Sequence, residues 1–569
     1  MAESKPFIPF PSRRSVVFGT HAMVASSQPL ACNAGLEILK KGGNAADAAV
    51  AVSAALNVTE PTSTGIGGDC FCLFYDANTK KVSGLNGSGR SPAKLTLDYV
   101  LKNVPNLDGK KQIPKLNINA ATVPGAAAGW VDAVDWFGSR NLKLEEILKP
   151  AIDLAENGYP VSEICASMWK GAKDDLINAS TNGKSDMLID GRHAPGCGEI
   201  MRMPNLARTF RELAEKGRDG FYKGRIAEAI VDIVKCKGGV MSLDDLSSHT
   251  STRVDPISID YKDVTIFECP PNGQGITALM ALSIIQSLQE CRKIRDLSEM
   301  EHNSAEYLHV IIESLRLAFA DTTLHVTDPD PDFYDVTEKL LSKEYLSKRA
   351  QLFDPTKAIT HIESGIPVSS DTVYFTVVDD KGNACSFVNS NYNGFGTCVI
   401  PEGCGFTLHN RGSGFFLDKG HPNCLEPCKR PYNTIIPAIA IRRDELWLSF
   451  GVMGAFMQPQ GHVQVLLNII HHHYDPQTAL DAPRIRIEPL KKDGDKPPLI
   501  SQVKVEEGIS DDVIAELKKL GHSVEVVKGF DRSDFGRGQI IERKFDPKFK
   551  QKVWAAGSDL RGDGHAVGW

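Results

Sequence analysis

The sequence predicts an α+β protein whose sheet is assembled from two distant parts of the chain. Strand-like text lies near both ends, helical text fills the middle, and the character of the chain changes after about residue 360. Leu30 to Lys40 is amphipathic and is stopped by Gly42-Gly43. Asn44 then caps a small-residue helix from Ala45 to Asn57, ended by Pro61. Alanine and valine on all its sides predict burial among close neighbours. Cys70 to Asp76 and Val82 to Asn86 read as a hairpin across Asn78-Thr79-Lys80. Residues 125 to 360 read as mostly helical, including Ala305 to Phe319. Ala358 to Ser370 is polar, contains proline and lacks a period, so it reads as an exposed, mobile linker. Beyond it, Thr372 to Val378 and Ala384 to Asn389 form a second hairpin around Asp379-Asp380-Lys381-Gly382-Asn383. Strands at Thr434 to Ile441 and Glu445 to Phe450 follow, then a helix from about Gln460 to His473. Strands early and late imply one domain built from two halves, with no internal repeat.

Composition narrows the function classes. The 569 residues, 42% hydrophobic and 24% charged, suit a folded soluble protein with one very large core or roughly two to three domains. A formal charge of -7 leaves no electrostatic footprint for nucleic acid. Arg442-Arg443 and Lys491-Lys492 are short, acid-bordered runs of solvated surface. Met1 to Thr20 lacks the apolar core of a secretory signal. No stretch approaches the roughly 18 apolar residues of a membrane helix. The expectation is a cytoplasmic protein without membrane contact. Thirteen scattered cysteines fit reduced thiols. Cys424 and Cys428, near His409 and His421, lack the second ligand pair of a zinc site. His471-His472-His473 reads as the polar end of a helix. No metal or cofactor is expected.

Three common motifs fall away. Gly65-Ile66-Gly67-Gly68 follows a helix and precedes a strand, the reverse of a dinucleotide fingerprint. Ser167-Met168-Trp169-Lys170 has no downstream K-T-G, and no G-x-S-x-G elbow is present. The segment Ser369-Ser370-Asp371-Thr372-Val373 remains, placing a threonine at the head of a strand. Such a threonine is commonly structural, since it is a good strand former. Cleavage before Thr372 would give it a free α-amino group beside its own hydroxyl. An α-amine titrating near pH ~7.7–8.0 is a competent base for that hydroxyl.

Read together, Gly42 to Ala51, Gly65-Ile66-Gly67-Gly68-Asp69, Val123-Pro124-Gly125-Ala126, Pro270-Pro271, Asp371-Thr372, Lys429-Arg430-Pro431 and the terminal Gly557 to Gly564 resemble the γ-glutamyltransferase family of N-terminal-nucleophile hydrolases. The resemblance runs nearly end to end. It implies a four-layer αββα sandwich and a proenzyme that cuts itself between Asp371 and Thr372. The large fragment would be 1–371 and the small one 372–569, together one intertwined domain and a heterodimer of fragments. It further implies that Thr372 attacks an amide carbonyl and that water or an amino acid takes the acyl group. Ser390 aligns with the hydroxyl partner of the nucleophile. The oxyanion hole aligns with the N–H groups of Gly454 and Ala455, where relatives carry two glycines; alanine narrows the allowed backbone angles.

Substrate recognition departs from the family pattern. The acid that holds the α-amino group of a γ-glutamyl unit falls on Gly414, and Arg411 stands three residues earlier in the same stretch. A guanidinium there welcomes a carboxylate. Arg90 lies near the usual carboxylate-binding arginine, displaced along the chain, and Asn433 and Thr434 take the places of two serines. As alternatives to site roles, the arginines read as surface ion pairs, Ser390 as a turn serine, the 451–455 run as a tight turn, and Asn433 and Thr434 as strand-entry residues. Three readings of function stand: a γ-glutamyltransferase or glutathione hydrolase acting on glutathione or γ-glutamyl conjugates, an amidase for glutaryl-type acyl groups, and an unprocessed, non-catalytic homologue.

Overall fold

The computed structural model describes residues 14–105, 107, 112–329, 336–359, 372–488 and 501–569. Two seven-stranded sheets dominate it. Their strands, in chain order, are β1 (Val17–Gly19), β2 (Met23–Ser26), β3 (Asp69–Asp76), β4 (Lys81–Gly87), β5 (Thr252–Val254), β6 (Ile257–Tyr261) and β7 (Val264–Glu268). They continue with β8 (Val373–Val378), β9 (Ala384–Ser390), β10 (Ala438–Arg442), β11 (Glu445–Met453), β12 (Arg537–Asp546), β13 (Gln551–Ser558) and β14 (His565–Gly568). One sheet runs β14-β2-β8-β9-β3-β4-β5 and the other β1-β13-β12-β11-β10-β7-β6, antiparallel throughout. Each sheet mixes strands from before and after residue 372, so neither part of the chain completes a sheet alone.

Period-two alternation sorts the side chains of each sheet onto its two faces. Val373, Phe375 and Val377 pack outward with Cys70 and Cys72 in a core formed with α1 (Pro29–Lys40), α2 (Ala45–Thr59), α3 (Ala126–Phe137) and α4 (Leu144–Asn157). Tyr374 and Val378 face the other way, with Phe71, Leu73, Tyr75, Ile439 and Met453 in the space between the sheets. The far face of the second sheet, with Ala440, Leu448 and Val452, packs on α5 (Gly275–Glu290), α6 (Ala305–His325) and α7 (Met457–His472). The result is the four-layer αββα sandwich. All fifteen residues of α2 are buried, as its all-round small apolar surface predicts, and Asn44 closes a capping box with Asp47.

Both expected hairpins form, β3–β4 and β8–β9. Residues 125–360 are mostly helical as expected, but 252–268 folds into β5, β6 and β7 and supplies the edge of both sheets. Two further expectations need correction. The strand expected from Thr434 starts only at Ala438, since side chains of the core hold the backbone before it: Gln274 donates to Thr434 O and Gln458 accepts from Ile436 N–H. The start of the expected linker is docked, with Ala358 N–H bonded to Leu520 O and Ile359 N–H to Glu313. Residues 360–371, with Asp371, lie outside the described residues.

Candidate active site

Register builds the site. Val373 pairs with Asn389, so one residue further out Thr372 comes level with Ser390. Ser390 pairs with Asp69 in the next ladder. Cys70 pairs with Gly87, which brings Asp69 level with Ser88. Residues directly opposite in antiparallel strands project from the same face. Thr372, Ser390, Asp69 and Ser88 therefore form one polar row facing the space between the sheets. Within it, the hydroxyls of Thr372 and Ser390 share a hydrogen bond of 3.0 Å, and Ser390 Oγ accepts from Tyr392 N–H at 2.9 Å. The glycine loop before Asp69 lies against this row. A Cβ on Gly68 would sit 2.3 Å from the carbonyl oxygen of Ser390, so only glycine fits.

The facing sheet carries the Gly454 turn and packs on the strand that Thr372 opens. Thr376 Oγ1 and Ser449 Oγ are 2.5 Å apart, and a Cβ on Gly451 would meet the Tyr374 ring at 2.5 Å. From these contacts β11 continues to its last residue, Met453, after which Gly454 and Ala455 turn the chain. Gly454 has φ +124° and Ala455 φ +51°. Their N–H groups donate no hydrogen bond among the described residues. On the outer side of this turn, a cavity of about 200 Å³ is lined by Arg486, Arg532, Arg537 and Arg561. Those arginines pair with Glu488, Glu506 and Glu60.

Arg411 is fully buried, not a surface ion pair. One guanidinium nitrogen, Nη1, donates to Thr434 Oγ1 at 2.7 Å, and the group stacks 4.4 Å from the Tyr392 ring. Burial lowers its pKa to about 10, with Asp69 opposing, so it stays charged at neutral pH. Asn433 Nδ2 donates to Ser88 Oγ at 3.2 Å and reaches Asp69 Oδ2 at 3.4 Å. Asn433 and Thr434 are locked by Asn272 and Gln274, and Gln274 also donates to Ala455 O. Thus Thr372 and Ser390 form one cluster, Arg411, Asn433 and Thr434 another beside the same row, and Gln274 connects the second to the Gly454 turn. Arg90 stands apart: it is half-buried, forms no side-chain hydrogen bond among the described residues, and bears electrostatically on Arg430 and His249.

In the sequence Asp69 stands out only as the end of a glycine loop and His409 only as a neighbour of cysteines. The carboxylate of Asp69 accepts from Gly89 N–H and lies 3.6 Å from His409 Nδ1 and 3.8 Å from Arg411 Nε. Among the described residues, one group of three has metal-ligand spacing: His309, Glu313 and His522. Most of its ligand atoms are engaged otherwise, since the two imidazoles bond each other at 2.8 Å through His309 Nδ1 and His522 Nε2, and Glu313 accepts from Arg316 and Ile359 N–H. No helix of the described residues is long and apolar enough to cross a membrane.

A buried polar row between two antiparallel sheets, flanked by helical layers, defines the N-terminal-nucleophile hydrolase fold. The model of the gamma-glutamyltranspeptidase family matches residues 31–569, and the chain belongs to that family. The glutathione hydrolase-like YwrD proenzyme of Bacillus subtilis (strain 168) is 38% identical over 558 residues, covering 97% of this chain and 99% of the relative. The oxamate amidohydrolase proenzyme of Klebsiella pneumoniae is 31% identical over 555 residues, covering 97% and 99%. The crystal structure of a cephalosporin acylase from Bacillus halodurans matches with TM-score 0.88 and 40% identity, covering 100% of this chain and 99% of that one. The family is one of glutathione hydrolases, acylases and amidohydrolases.

Proposed function

We propose that the chain is a self-cleaving γ-glutamyl hydrolase or transferase whose nucleophile is Thr372. The observation that carries this reading is the 3.0 Å contact between the Thr372 and Ser390 hydroxyls, in a buried row beside an incompletely paired arginine. Cleavage between residues 371 and 372 yields a large fragment, 1–371, and a small fragment, 372–569, which stay together because each sheet needs strands from both. The proenzyme names of the relatives support this step. The freed α-amine of Thr372 takes the hydroxyl proton as Oγ1 bonds the substrate carbonyl carbon. Gly454 and Ala455 N–H groups stabilise the resulting oxyanion, a contribution of about 10²–10³-fold per donor. Collapse breaks the C–N bond, the proton passes to the leaving amine, and an ester on Thr372 remains. Water or the amine of an amino acid then attacks that ester, and Thr372 recovers its proton. Ser390 holds the Thr372 hydroxyl in line, and Arg411, with Thr434 and Asn433 beside it, receives the carboxylate of the acyl group. Arg90 contributes positive potential at the rim. Thirteen free cysteines favour the cytosol as the compartment.

A second reading, an amidase for glutaryl-type groups, draws on the absence of an acid at Gly414 and on the likeness to a cephalosporin acylase. Hydrolysis of γ-glutamyl-p-nitroanilide tests the main reading. The wild type releases nitroaniline and Thr372→Ala does not; equal rates from both proteins would refute it.

A further inference from the structure

Gln274 stands at the N-cap of α5, where a side chain ordinarily accepts from the first N–H groups of its helix, yet it makes no such bond. Its carboxamide reaches across the molecule instead. Fully buried, Nε2 donates to Thr434 O at 2.7 Å and to Ala455 O at 2.8 Å. Carbonyl oxygens only accept, so both amide hydrogens point at them and the orientation of the amide is fixed. Oε1 accepts from the Tyr432 hydroxyl at 3.0 Å, and the Tyr432 ring stacks on Phe456, the residue after Ala455. The backbone beneath the amide is pinned as well, with Gln274 N–H bonded to Asn433 O. A Cβ on Gly273 would sit 2.9 Å from the Phe71 ring, and one on Gly275 2.7 Å from Glu268 Cβ, so the loop fits closely on both sides of Gln274.

Ala455 needs such a hold. Its φ of +51° lies in the left-handed region that favours glycine. From one side α7 grips the turn, through Met457 N–H on Gly454 O and Gln458 N–H on Ala455 O. From the other, Gln274 takes the second lone pair of Ala455 O. Two donors on one carbonyl fix the peptide plane that follows Ala455, and with it the direction of the N–H groups on the turn. Donors aimed in advance need no reorganisation when charge develops.

We propose that Gln274 is a positioning residue for the Gly454–Ala455 turn, aiming its two N–H groups by clamping Ala455 O to Thr434 O. The inference rests on the acyl-transfer reading above, in which those N–H groups meet the oxyanion. Gln274 acts through the turn and not on the substrate. Its loss is therefore felt in the transition state and not in ground-state binding.

The test compares the purified full chain with Gln274→Met, which keeps the length of the side chain and removes both donors. With γ-glutamyl-p-nitroanilide, kcat falls roughly ten- to hundredfold while KM stays within about threefold. Inhibition by the analogue of glutamate in which a boronic acid replaces the γ-carboxyl group weakens by a similar factor. There Thr372 Oγ1 bonds boron, its proton passes to the α-amine, and the tetrahedral anion lies on the turn. Competitive inhibition by L-glutamate, which forms no such anion, holds within about threefold. Equal losses for the boronate and for L-glutamate would mean that Gln274 only supports the fold, and would overturn the proposal, as would an unchanged kcat. Should Gln274→Met fail to fold or to cleave itself, Gln274→Asn carries the same comparison, with an amide one methylene too short to span both carbonyls. A wild type that turns over only glutaryl-p-nitroanilide refutes the γ-glutamyl acyl group and leaves the clamp to be tested on that anilide, with glutarate and its boronate as probes. A wild type that cleaves neither itself nor either anilide refutes the parent reading, and the positioning role with it.

Discussion

Ser390 lies between two residues that sequence separates widely: its hydroxyl is 3.0 Å from Thr372 Oγ1, and its backbone pairs with Asp69 in the neighbouring ladder. A proposed nucleophile and a buried carboxylate are thereby tied through one serine on a central strand. Both faces of that strand are packed, Cys385 and Phe387 against the helical layer and Ala384 and Val388 between the sheets, so a slip of one residue would exchange the two faces and turn Ser390 out of the site.

Replacing Ser390 by alanine removes the partner of Thr372 and leaves Tyr392 N–H without this acceptor. The expected cost is about 1–3 kcal/mol of stability, with turnover reduced roughly ten- to hundredfold. Urea unfolding and γ-glutamyl anilide hydrolysis measure the two effects, and unchanged turnover would remove Ser390 from the proposed mechanism.

Ala455 is held at φ +51°, a conformation that costs an L-residue roughly 1–2 kcal/mol. Ala455→Gly relieves that strain and loses a methyl contact and some unfolded-state rigidity, so stability stays within about 1 kcal/mol of wild type. Ala455→Val places a β-branched residue in the left-handed region, with an expected loss of about 2 kcal/mol or more. Its distorted N–H would also slow turnover about 10²-fold. Comparable stabilities for the glycine and valine variants would contradict this account of the turn.

Two buried histidines make stability depend on acid. Burial, reinforced by Arg430, lowers the His249 pKa to about 3, and burial beside Arg316 does the same for His522. In the unfolded chain each takes up a proton near pH ~6.5, whereas the folded chain does not until about pH 3. Their contribution is therefore complete above pH ~6.5 and is lost progressively as the pH falls towards 3. Unfolding midpoints in urea should drop between pH 7 and 4.5, by on the order of 2 kcal/mol for each histidine. His249→Gln should flatten the profile, and an unchanged slope would contradict the assignment.

Much of the architecture was legible because the hairpins announce themselves. Cys70–Asp76 and Val373–Val378 carry strand formers on both faces and are followed by strong turn residues. The strands at 252–268 were hidden by their polar alternation and by a turn at Lys262, φ +53°, that carries no glycine. In the candidate site, Thr372, Ser390, Arg411 and Thr434 were singled out from the chain, and the alternative of a surface ion pair for Arg411 fell away once the fold buried it against Tyr392. Asp69 and His409 were illegible for a different reason. Neither has a local signal, and their placement beside Ser390 and Arg411 follows from strand register and from long-range contacts. Arg90 was singled out by its place in sequence, yet the backbone turns it towards Arg430 instead of Arg411.

The most direct test of the central claim is the intact mass of the purified chain, measured in parallel for Thr372→Ala. The account predicts two wild-type fragments meeting at 371/372, the smaller beginning with Thr372, and a single full-length mass for the variant. Full-length mass in both, or cleavage in both, would contradict Thr372 as the residue that cuts the chain and then turns over substrate.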